Sequence, residues 1–167
     1  MRIKSFFIAL FSIVLLSSCI KDKCSFTDQN KVATSVEIDS LQSYFAANNI
    51  TNAIQHPCGA FYVINNQGTG GNPGLCNTVV VNYGAYRFNY SIPFDSNTST
   101  GGISFVLGTL ITGVQKIMPN LQVGGTVTMY IPPSLAYGST ELRDQSGSLI
   151  LPANSYIKFR MTLLSMQ

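Results

Sequence analysis

Histidine occurs once in the 167-residue chain, as His56, tryptophan does not occur, and charged residues supply only 10% of the sequence. A Ser/His/Asp triad would have to be built on His56. That residue stands beside Pro57 as an ordinary loop residue, and no G-x-S-x-G elbow accompanies it, so hydrolysis of that kind has no support. There is no Cys-x-x-Cys pair and no cluster of His, Cys and carboxylates at ligand spacing, which removes a metal centre. The glycine-rich stretch from Gly68 to Gly74 lacks a Gly-Lys-Ser/Thr ending and leads into a β-rich run where a P-loop would open a helix. No cofactor is implied.

The first residues carry a different signal. Arg2 and Lys4 precede an apolar run from Phe6 to Leu16, too short to be a permanent membrane span, and Leu16-Ser17-Ser18-Cys19 offers a small-residue cleavage site. Residues 1–18 are thus predicted to be a secretory signal. The ending in Leu-Ser-Ser-Cys resembles the lipobox of bacterial lipoproteins, which implies cleavage before Cys19, its acylation, and attachment to the membrane of the cell envelope. The expected location is the outer membrane, facing the periplasm. Setting Arg2 and Lys4 aside from the 10 basic residues leaves eight against 7 acidic ones, and a nucleic-acid partner loses its electrostatic support. With Cys19 given to lipid, Cys24, Cys58 and Cys76 remain in an oxidising compartment, where at most one internal disulfide can form.

After Cys19 the chain is mostly polar and without hydrophobic period, so residues 19–33 are expected to be a mobile tether. Thr34 and Glu37 make a capping box, and Ile38, Leu41, Tyr44 and Phe45 follow at helical spacing up to Asn48-Asn49. This predicts a helical extension within residues 34–58. Pro57-Cys58-Gly59 turns the chain into the β-rich run Phe61 to Ile64, and a second strand is expected from Thr78 to about Tyr83. Val127, Met129 and Ile131 alternate with Thr126, Thr128 and Tyr130. Ile157, Phe159, Met161 and Leu163 alternate with Lys158, Arg160 and Thr162. Both patterns are those of antiparallel strands covering a core on one side. Between them Ile111, Val114, Ile117 and Met118 have helical spacing, with Pro119 ending the helix near Met118. The expected class is α+β: an antiparallel sheet half-wrapped around a short helix.

From Gly59 to Gln167 the chain resembles FKBP-type peptidyl-prolyl isomerases, most closely the lipoprotein forms of Bacteroidetes-like bacteria. The residues that carry the resemblance are Gly59 to Ile64 with Gly68-Thr69-Gly70, Val79 to Gly84, Phe94-Asp95-Ser96 and Phe105 to Gly108. They continue through Val123-Gly124-Gly125, Ile131-Pro132, Ala136-Tyr137-Gly138, Leu151 to Asn154, and Phe159 to Leu164. Their order and spacing, more than any one piece, make the match specific. The resemblance implies a domain over residues 59–167 that isomerises X-Pro bonds of exported polypeptide clients. Tyr83, Phe94, Asp95 and Tyr137 would be its catalytic residues, and Ile103, Leu110, Ile111, Val114 and Phe159 would bind substrate. It further implies that Cys58 and Cys76 are joined, each lying at a turn that borders a neighbouring strand of the family sheet. Three positions depart from the family pattern. Val114 replaces the usual tryptophan at the pocket floor, the loop from Ser139 to Leu149 lacks a histidine, and Thr109 to Leu110 is shortened. The competing expectation is a catalytically weak module of the same fold, holding clients as a chaperone or serving as scaffold in a gliding or outer-membrane assembly complex.

Overall fold

The computed structural model describes residues 24–167; the leader, its cleavage site and Cys19 lie outside the described residues. Helix α1 spans Ser35–Ala47 and α2 spans Thr112–Ile117. The strands are β1 (Ile54–Gln55), β2 (Phe61–Asn66), β3 (Thr78–Arg87), β4 (Asp95–Asn97), β5 (Ile103–Val106), β6 (Thr126–Ile131), β7 (Leu142–Arg143), β8 (Leu149–Leu151) and β9 (Ile157–Met166). Seven strands form one antiparallel sheet in the order β1-β2-β6-β9-β3-β4, with β5 also pairing to β3. β7 and β8 form a separate small hairpin.

Alternation in the long strands decides which residues make the core. Val79, Val81, Ala85, Val127, Met129, Ile131, Phe159, Met161 and Leu163 are buried on the concave face with Val114 and Ile117 of α2. Each Val, Leu, Ile, Met or Phe side chain so removed from water contributes about 1.5–3 kcal/mol before entropy is charged against it. Helix and sheet approach closely because residue 113 is glycine: a Cβ there would lie 2.5 Å from Ile131 Cγ2. Pro119 closes α2 into a 3-10 turn over Met118–Asn120, as its position in the sequence predicts.

The opposite face of the sheet is not uniformly exposed. The capping box expected at Thr34 and Glu37 is formed, and α1 lays Leu41 and Phe45 on Phe61, Val63 and Tyr130 as a second core. Tyr130, expected on the outer face, is therefore only 6% exposed. Strand β3 also runs past Tyr83 to Arg87, held by β9 along its whole length, before turning at Asn89, whose φ is 66°.

Two expectations about the N-terminal segment are corrected. Residues 24–33 do not hang free: Phe26 covers Gly108, Asp28 pairs with Lys116, and the Ala33 N–H donates to the Cys58 carbonyl at 2.8 Å. This strap brings Cys24 to Cys76, and it is these two that form the disulfide, with Cα atoms 5.6 Å apart. Cys58 is a free thiol, 4% exposed, with its sulfur 3.1 Å from His56 Nδ1. Its thiol points into the core whereas Cys76 is on the surface, so the expected Cys58–Cys76 bond does not form. Burial also pushes the Cys58 thiol up from its ordinary pKa and keeps it protonated.

Candidate active site

Between α2 and the concave face lies a cavity of about 180 Å³, lined by Tyr83, Asp95, Phe105, Leu110, Ile111, Val114, Tyr137, Phe159 and Met161. The sheet supplies three walls through its two-residue period. Tyr83 comes from β3, Phe105 from β5, and Phe159 and Met161 from β9. The remaining walls come from the start of α2. Ile111 is its N-cap and Val114, 2% exposed, stands one turn in. Tyr137 follows the short turn Pro133–Leu135 that ends β6.

The aromatic rings are set at angles to one another rather than stacked. Tyr83 lies 6.3 Å from Phe105 at 63° and 6.3 Å from Phe159 at 44°. Such packing holds a rigid apolar wall. The polar groups are few. Tyr83 Oη donates to Asp95 Oδ2 at 2.8 Å, which fixes the carboxylate at the cavity rim. Burial, and then this hydrogen bond to Asp95, push the Tyr83 phenol up to about 12, so it remains a donor throughout the neutral range. Burial and the charge of Asp95 raise Tyr137 as well. Its hydroxyl, like the Ile111 N–H, has no hydrogen-bond partner among the described residues. The cavity thus combines apolar walls with two donors and one carboxylate.

Of the residues expected here, Tyr83, Asp95, Leu110, Ile111, Val114, Tyr137 and Phe159 meet in the cavity. Phe94 and Ile103 do not line it; both pack against the main core instead. Their places are taken by Phe105 and Met161. Both could have been read from alternation, since Phe105 shares a strand face with Ile103, and Met161 shares one with Phe159.

The chain is 30% identical over 110 residues to the peptidyl-prolyl cis-trans isomerase Mip of Coxiella burnetii, a match covering 65% of this chain and 45% of that protein. It is 30% identical over 112 residues to the outer membrane protein MIP of Legionella longbeachae, covering 66% and 46%. The match thus spans less than half the length of either relative. The crystal structure of FkpA from Escherichia coli superposes with a TM-score of 0.65 at 28% identity, over 78% of this chain and 59% of that one. The family model for FKBP-type peptidyl-prolyl cis-trans isomerases matches residues 71–164, which holds every residue lining the cavity, and the chain belongs to that family.

Proposed function

We propose that this protein catalyses cis/trans isomerisation of X-Pro bonds in exported polypeptides, by non-covalent stabilisation of the twisted amide. The observation that carries the reading is the cavity itself: apolar walls of a size to take a prolyl ring, with uncommitted donors at Tyr137 and Ile111. Amide resonance sets a barrier of about 18–20 kcal/mol, and the C–N bond loses its double-bond character as it twists. A water-poor site disfavours the strongly dipolar planar amide relative to the twisted one. The Tyr137 hydroxyl and the Ile111 N–H hold flanking carbonyls, while Asp95, steadied by Tyr83, orients the rotating group. Only interactions stronger in the twisted state accelerate the reaction, and neither nucleophile nor metal is required for them.

The same reading places the protein in the cell envelope, attached through acylated Cys19, with proline-containing polypeptides as clients. The lipobox-like residues before Cys19 support this, as does likeness to a relative named as an outer membrane protein. Exchange spectroscopy on a proline peptide with the purified protein tests the activity; faster cis/trans exchange is expected. Binding without any change in exchange rate would favour the chaperone or scaffold alternative. Mass spectrometry of the mature protein tests the anchor, and an unmodified Cys19 would refute it.

A further inference from the structure

The isomerase chemistry leaves the outer face of the sheet unused. α1 covers only the Phe61, Val63 and Tyr130 end of that face. Beyond it lies a trough of about 460 Å³ between Tyr86 and Tyr130, with Lys158 and Arg160 along it. Tyr86 and Arg160 also border a second hollow of about 240 Å³, which reaches Ser96 and Thr98 at the sheet edge. The two hollows therefore adjoin across Tyr86 and Arg160, as an interrupted groove along the outer face.

The charge of this groove has a single sign. Neither hollow is lined by Asp or Glu. Among the described residues the ion pairs are Lys116–Asp28 and Arg143–Glu141, so Lys158 and Arg160 carry no carboxylate partner. Lys158 instead lies over the Tyr86 ring, 5.1 Å from its centroid. Two cations, one of them over an aromatic ring, among hydroxyls and with no carboxylate lining the hollows, complement an anionic chain.

The groove is also connected to the candidate active site. Tyr83 borders both the cavity and the second hollow. Between them runs only β4, the three-residue edge strand, in which Asp95 serves the cavity and Ser96 the outer groove. An extended polypeptide with its proline in the cavity crosses such an edge in about three or four residues, at roughly 3.3 Å each.

We propose that the outer groove recognises acidic residues of the client polypeptide, about four to eight residues away from the proline held in the cavity. This rests on the isomerase reading, whose substrate class it narrows to clients with acidic flanks.

The test compares proline peptides carrying an acidic or a neutral extension, on either side of the proline, by fluorescence anisotropy and by exchange rate with the purified protein. An acidic extension is expected to tighten binding about 3- to 10-fold at low salt, the scale of two partly screened ion pairs, and to lose that gain in 0.5 M salt. The double variant Lys158→Glu, Arg160→Glu is expected to abolish the gain yet leave exchange of a short, unextended proline peptide unchanged. If charge reversal impairs folding, Lys158→Gln with Arg160→Gln and the wild-type salt titration decide the matter. Equal binding of acidic and neutral extensions overturns the proposal, as does a gain that survives in the folded variants or one shown only by anionic lipid vesicles. Failure of the isomerase reading would show separately, as a short peptide whose exchange the wild type does not accelerate.

Discussion

Glu37 accepts hydrogen bonds from both the N–H and the hydroxyl of Ser134, each at 2.8 Å, across 97 residues of sequence. The same carboxylate accepts from the Thr34 N–H at 2.8 Å and completes the cap of α1. One side chain therefore fastens the N-terminal helix to the turn that leads into Tyr137.

Removing that anchor has a pH signature. Burial pushes the Glu37 carboxyl up, but hydrogen bonds from Thr34 and Ser134 together outweigh it and hold the group below the usual carboxylate range. The folded-state pKa is depressed, so its stabilisation is present above the unfolded value near 4.5 and disappears as pH falls through the folded one. Glu37→Ala is expected to cost about 0.5–2 kcal/mol at neutral pH. Thermal melts of wild type and variant should converge as pH falls below the ordinary carboxylate value of 4.5, and a constant gap across pH would count against the assignment.

The catalytic roles separate by kinetics. Losing one neutral hydrogen bond costs about 0.5–1.5 kcal/mol, so Tyr137→Phe is expected to slow exchange roughly 2- to 13-fold. Asp95→Ala should lower turnover more than peptide affinity, whereas Phe159→Ala should weaken both. A Phe159 variant that binds normally would contradict its place in the cavity wall.

Tyr83 should titrate well above the ordinary tyrosine value of 10.0. Its phenolate absorbance is expected near pH 12, with burial as the larger cause and Asp95 as the next. Asp95→Asn should lower that midpoint without returning it to the ordinary value of 10.0. An unchanged midpoint would mean the hydrogen bond has no part in it.

The absence of tryptophan makes Val114 a convenient position for a probe. Val114→Trp introduces a single indole at the cavity floor, at an overpacking cost of about 1–3 kcal/mol. Its fluorescence should respond to proline peptides and to no proline-free control. A folded variant whose emission ignores both would show that position 114 does not face the bound ring.

Non-reducing peptide mapping should recover Cys24 joined to Cys76 and Cys58 as a free thiol. A bond closing a loop of 52 residues contributes about 4 kcal/mol by chain entropy, so Cys24→Ser should lower Tm markedly while Cys58→Ser leaves the bond intact.

Much of this fold was legible because its signals are local. The capping box at Thr34 and Glu37, the alternation through Val127 to Ile131 and Ile157 to Leu163, and the stop at Pro119 each act within a few residues. What escaped depends on distant surfaces. Nothing around Tyr130 tells that α1 will roof it, and the polarity of residues 24–33 hides a strap held by one ring, one ion pair and one disulfide. In the cavity, the motif order identified most of the lining, but Phe105 and Met161 replaced Phe94 and Ile103. Register across β3 decides which of several inward-facing side chains reaches the opening.

The strap also sets a radius. If the chain is moored at Cys19, attachment beginning at Ala33 would leave fourteen residues of play, about 50 Å when drawn out. With Cys24 bonded to Cys76, five residues remain, about 17 Å. A domain so moored would stay close to the membrane surface, and reducing the bond would lengthen its reach only as far as the Phe26 and Asp28 contacts gave way.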